Sequence, residues 1–192
     1  MLLHFLGSMT DRLLEIDHLT EEFSSEFGDL EAPQLNWKPD AGSWSIAQVL
    51  QHLVVINRSY FPAIDALHAG TYRLPWTGHV RWIVNWMGRM ILKSVQPDYA
   101  RKTKTLPIWE PGESNVDAGI LGTFVHQQDA LKSVIRGSVD LVARDAVISS
   151  PASRLIVYRL ATAFDIIIAH ERRHLEQAKR VKHQLPGSLT VH

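Results

Sequence analysis

The chain has 192 residues, enough for one domain with a sizeable core. Its 20 basic and 20 acidic residues cancel, so the charge shows no footprint for nucleic acid or an anionic membrane. There is no cysteine, which excludes disulfides, thiolate metal ligands and a cysteine nucleophile and leaves His, Asp and Glu to hold any metal.

Hydrophobic residues at 45% and charged residues at 21% are the proportions of a soluble globular protein. Ten histidines make a metal site worth seeking. The opening "MLLHFLGS" is apolar but short and lacks the basic region of a secretory signal. Met9 is an alternative start, with residues 1–8 a loose extension of a single domain over 1–192. No apolar run reaches the roughly 20 residues that span a bilayer, so a cytoplasmic protein is expected.

Residues 9–27, "MTDRLLEIDHLTEEFSSEF", predict the first helix. Leu13, Ile16, Leu19, Phe23 and Phe27 recur at three- and four-residue spacing behind a Thr10 N-cap. Residues 28–43, with Pro33, Pro39 and Gly42, read as a long connection. Ser43 is the expected cap of a second helix over 44–67, striped by Val49, Leu53, Ile56, Tyr60, Ala63 and Leu67. Pro62 inside that stripe predicts a kink or an early end. Residues 70–78 read as loop, and 80–95, "VRWIVNWMGRMILKSV", as a helix rich in aromatics and methionine. Residues 96–115 read as irregular. Residues 116–142 predict a third long helix, weakened by Gly119, Gly122 and Gly137. "VISSPAS" breaks the chain, and 154–182 predict the last helix, closed by "LPG". No stretch alternates strictly enough for a half-buried sheet, so an all-α helix bundle is expected.

The last helix contains "IIIAHERRHLEQ", which matches the H-E-x-x-H pattern of zinc proteases. On a wheel of about 100° per residue His170 and His174 lie about 40° apart, inside the apolar stripe. Buried without partners, each imidazole would cost roughly 1–3 kcal/mol. A divalent cation shared by the two removes that cost, and hydrogen bonds to other side chains are the alternative. A catalytic site needs a third ligand. His52 at the edge of the second helix's stripe is the best candidate, with His18 beside the first helix's stripe and His126 on the third as others, and periodicity does not choose among them.

The protease reading has difficulties downstream. The metzincin extension wants Gly and His where this chain has Gln177 and Arg180. Glu176 is the last acidic residue, so no downstream carboxylate supplies the third ligand. Glu171, about 100° from His170, borders the stripe as a general base, as a group orienting a ligand, or as half of an ion pair with an arginine.

Two blocks carry a family resemblance. Residues 35–53, "LNWKPDAGSWSIAQVLQHL", combine the Trp and Pro of "NWKP", then "WS", a Gln four residues before a His, and "HL". Residues 169–181, "AHERRHLEQAKRV", carry an H-x-x-x-H pair. Together they resemble the second and last helices of the DinB/YfiT-like superfamily. The resemblance implies a four-helix bundle of up-down-down-up connectivity with a long crossover, in which the helix at 80–95 is an addition after the second helix. It also implies a divalent metal held by three histidines, carried here onto His52, His170 and His174. Relatives in that family include thiol-dependent transferases, isomerases and proposed hydrolases.

Three neutral imidazoles suit zinc, nickel or iron and leave coordination positions open. A small-molecule substrate is expected, with a low-molecular-weight thiol or water as nucleophile. The rival is a binding module in which the metal only staples two helices. Gln48, one turn before His52, is a candidate to bond a ligand or bound water, or else a helix-cap amide. Trp82, Trp86, Met87 and Met90 would line an apolar pocket or form a core or homodimer surface. Basic "RKTK" at 101–104 would attract an anion or be a solvated loop.

Overall fold

The computed structural model describes residues 2–97, 109–110, 115–117 and 119–187, with side chains from Ser8 onward. Four long helices build the core: α1 (Leu2–Phe27), α3 (Ile46–Ser59), α6 (Ile120–Gly137) and α8 (Leu160–Lys182). α1 packs on α6 and α8, and α3 packs on the same two. The apolar positions that periodicity selects on α1 turn inward: Ile16, Leu19, Phe23 and Phe27 are buried. Phe23 meets Phe124 of α6 with ring centroids 4.7 Å apart.

Ion pairs line the outside of the α1–α8 seam. Arg12 pairs with Asp165, Glu15 with Arg172, Glu22 with Lys179 and Glu26 with Lys182. The numbers rise together, so these two helices run in the same direction. α6 runs against α1, since Phe23 meets Phe124 while Asp17 meets Lys132.

The second predicted helix is two. α3 ends at Ser59 and α4 (Phe61–His68) takes Pro62 in its first turn, where a missing N–H removes no helical hydrogen bond. Its cap is Ser45 rather than Ser43, whose hydroxyl turns back to Asp40. A five-residue α2 (Ala32–Asn36) interrupts the first connection, and the third helix is likewise divided, α7 (Val139–Ala143) following α6. α5 (Arg81–Ser94), behind a 3-10 turn at Trp76–His79, is the predicted aromatic helix.

One expectation fails over 147–159. In place of a break and an early start to the last helix there is an antiparallel hairpin, β1 (Val147–Ser150) and β2 (Ser153–Arg159). β2 does not alternate: Arg154 and Leu155 are both exposed, and Val157 and Tyr158 are both buried. The Tyr158 hydroxyl lies in the core 3.0 Å from that of Tyr60. Val157 is buried beside α5, where its N–H points at the Met87 sulfur. Adjacent residues that share one environment remove the period-two signal by which strands are recognised.

α5 lies on β2 and α8 through Gly88. A methyl group at that position would stand 3.2 Å from Thr162 Cγ2 and 3.3 Å from Tyr158 Cβ. No helix among the described residues is long and apolar enough to cross a membrane.

Gly88→Val should therefore push α5 off its seat. The expected loss is about 1–3 kcal/mol, the usual cost of overpacking, read from urea unfolding. Unchanged stability would mean that α5 is not tightly docked.

Candidate metal centre

α3 begins with a capping box. The Gln48 N–H donates to Ser45 Oγ at 3.1 Å, and the Ser45 N–H donates to Gln48 Oε1 at 3.1 Å. Gln48 thus spends its carbonyl oxygen on starting the helix. One turn later His52 is buried against α8. Its Nδ1 lies 2.8 Å from the carbonyl oxygen of Trp109. A carbonyl can only accept, so Nδ1 carries the proton and Nε2 keeps its lone pair.

α8 brings the other two imidazoles to the same place. His174 is buried and His170 half-buried. One ligand nitrogen from each of His52, His170 and His174 lies within 4.8 Å of the others. The Nε2 atoms of His170 and His174 are 3.0 Å apart. Two nitrogens on one zinc-like cation at about 2.0–2.1 Å sit roughly 3 Å from each other, so the pair fits a shared metal. Trp44 walls the cluster, 4.8 Å from the His52 ring and stacked on His174 at 6.0 Å with an interplanar angle of 11°.

The electrostatics suit ligation. Burial, against the pull of the Trp109 carbonyl, lowers His52 from its ordinary range. Burial and then the charges of His52 and Arg173 push His170 down to about 3. His174 is held well below its ordinary value by burial, then by His170, His52 and Arg173. All three rings are therefore neutral near pH 7, the form that binds a cation. The Nδ1 atoms of His170 and His174 are buried with no hydrogen-bond partner among the described residues. Gln177 exerts a small upward pull on His174, but it forms no bond to Nδ1 within ordinary hydrogen-bond geometry. The two Nε2 atoms meet each other, so an isolated core pair would still leave both Nδ1 atoms buried without a partner.

Glu171 is fully buried and turns into the bundle. Asn57 Nδ2 donates to its Oε1 at 2.6 Å, and Gln128 Nε2 donates to its Oε2 at 2.9 Å. Asn57 Nδ2 also reaches Gln127 Oε1 at 3.2 Å. Burial raises the Glu171 carboxyl to about 7 against these two donors. Its partners are amides of α3 and α6 rather than an arginine.

The remaining candidates scatter. His18 and His126 are exposed on α1 and α6, outside the cluster. Trp82, Trp86 and Met90 are 69%, 50% and 44% exposed, so that stripe of α5 faces solvent and lines no pocket beside the histidines. Residues 101–104 lie outside the described residues. Two contributors carry no sequence signal. The Trp109 group that bonds His52 is a backbone carbonyl, offered by any residue, 57 positions away. Arg173 reads as one of two surface arginines, yet it is half-buried beside the cluster.

A family model of the DinB superfamily matches residues 15–178, a span that includes all three histidines. No curated protein and no solved structure matches the chain.

The Glu171 shift gives a pH-dependent expectation. Its carboxyl is raised from 4.5 to about 7, so the folded state holds a proton that the unfolded state releases. That contribution is complete below 4.5 and is lost as pH rises through about 7. Glu171→Gln, which cannot ionise, should gain on the order of 1–3 kcal/mol over wild type between acid and about pH 8. Urea unfolding at both ends measures it, and a pH-independent difference would contradict the buried carboxyl.

Proposed function

The chain belongs to the DinB superfamily, and on that footing we propose that it is a metal-dependent enzyme acting on a small molecule through His52, His170 and His174. The observation that carries this reading is the meeting of three neutral imidazoles from segments more than a hundred residues apart, with ligand nitrogens within 4.8 Å. Zinc, nickel or iron suits three nitrogen ligands. A divalent cation held by neutral ligands keeps its full charge and lowers the pKa of a water or thiol that reaches it. We assign the chain to thiol transfer or hydrolysis on that chemistry.

The chain's own residues do the positioning. The Trp109 carbonyl holds the His52 ring in one tautomer. Trp44 packs against His52 and His174, and His170 is the ring of the three that is only half-buried. We give Gln48 and Glu171 supporting roles. Gln48 starts the helix that bears His52, and Glu171 ties α8 to α3 and α6. A single domain of up-down-down-up topology is in keeping with the pairings of α1 with α8 and with α6. The exposed tryptophans of α5 suit a homodimer contact.

A structural metal that only staples α3 to α8 is the second reading, favoured by the burial of His52 and His174. The zinc-protease reading loses its general base, because both Glu171 oxygens accept hydrogen bonds inside the core. The hairpin is no substitute for a substrate strand beside the metal, since β2 ends where α8 begins, about 15 Å along that helix from His170.

The test is metal content by mass spectrometry on protein purified without a nickel column. Wild type should carry near-stoichiometric metal, and His52→Ala, His170→Ala and His174→Ala should each lose most of it. Full occupancy in all three variants would remove the proposal. An exchangeable fourth position would favour catalysis over the staple.

A further inference from the structure

Three arginines among the described residues are half-buried: Arg12, Arg159 and Arg173. Two of them meet a carboxylate. Arg12 pairs with Asp165 and Arg159 with Asp145. Arg173 has no acidic partner among the described residues. Its neighbour Arg172, which is exposed, is paired with Glu15. A half-buried cation without a counter-charge is costly, and the fold usually supplies one.

The guanidinium of Arg173 is nonetheless held in place. Its Nη1 donates to the backbone carbonyl of Ser94 at 2.9 Å, with that of Gln96 at 3.5 Å, both at the end of α5. The other edge of the fork, Nε with Nη2, makes no hydrogen bond to a described residue. That edge presents two parallel N–H groups and matches the two oxygens of a carboxylate. Arg12 shows the match within this molecule. Its Nε and Nη2 hold Asp165 Oδ1 and Oδ2 at 2.7 and 3.1 Å.

Arg173 stands beside the histidines. It lies three residues after His170 and one before His174, on the side of α8 opposite Glu171. Its charge is felt by both rings. Among the described residues no carboxylate is one of the groups that shift His52, His170 or His174, and Glu171, next to His170, is turned into the core. Among the described residues, Arg173 is the one permanently charged side chain that shifts the two α8 rings.

We propose that Arg173 sets the substrate class: the molecule taken at the three-histidine centre carries an oxyanion group, of the carboxylate kind, which docks on the free Nε/Nη2 edge. This rests on the metal reading above. Arg173 is a specificity residue here and takes no part in bond making.

Two thiols of equal length separate the charge from everything else: 2-mercaptoethanesulfonate and 2-mercaptoethanol. The sulfonate is a poor metal ligand, so it gains nothing by chelation. The readout is the absorption of cobalt-substituted protein as each thiol is titrated, which needs no turnover. Wild type should bind the sulfonate about tenfold more tightly or better, the worth of a hydrogen-bonded charge. Arg173→Gln should bring the ratio near one, and Arg173→Lys should keep part of it. Equal binding of the two thiols by wild type, or an undiminished ratio in Arg173→Gln, would overturn the proposal. Should Arg173→Gln not fold, the wild-type ratio at about 1 M salt decides, because screening must shrink it. An unchanged ratio there overturns the proposal as well. Protein that takes up no cobalt brings down the metal reading and this one together, whereas cobalt uptake without discrimination brings down only this one.

Discussion

Two imidazoles and a carboxyl group on one helix cannot leave water without partners, and the seam between α3 and α8 is where they find them. His52 meets His170 and His174 across that seam, and Asn57 of the same α3 meets Glu171. Each of these groups would cost roughly 1–3 kcal/mol if buried alone, so the two helices are specified in register by more than apolar contact. A slip of one turn would separate the histidines and strand the carboxyl at once. The register thus protects the centre. Around it the aliphatic and aromatic core of α1 and α6 supplies the bulk of the burial without choosing an alignment so sharply.

The two polar clusters respond to pH in opposite senses. The three histidines are depressed by burial, so their contribution to stability is present above their ordinary value of 6.5 and fades as pH falls below it. Glu171 is raised, and its contribution fades as pH rises through about 7. Near neutrality the fold sits between the two. A cation on the rings shifts this balance further, because it binds only the neutral form and so competes with protons. Metal content and stability would then be linked through the same side chains.

The connections make the centre directional. The Trp109 carbonyl pins His52 from one connection, and the carbonyls of Ser94 and Gln96 hold Arg173 at the end of α5. Backbone groups from a segment outside the four-helix core therefore orient both His52 and Arg173. α5 depends in turn on the close approach at Gly88 to β2 and α8. The hairpin, α5 and its 3-10 turn form a lateral layer whose inner face docks on the bundle and whose outer face exposes Trp82 and Trp86.

The sequence by itself determined the helical class, the four core helices and the histidine pair on α8. Each of these is a local periodicity: apolar residues at three and four, and His170 with His174 one turn apart on the same face. It also carried two blocks, around His52 and around the pair, whose resemblance pointed to the same family as the model match over 15–178. Tertiary structure decided the rest. From spacing alone His52 led His18 and His126 without displacing them, because each lies on a helix and periodicity records a face but not which faces meet. Packing of α3 on α8 brought His52 in and left the other two in water. The hairpin at 147–159 was invisible because neighbouring residues of β2 share one environment, two exposed and then two buried, which erases alternation. The Trp109 carbonyl, the amides around Glu171 and the open edge of Arg173 belong to groups that any sequence offers in abundance. Only their distances, which come from the assembled chain, give them a role.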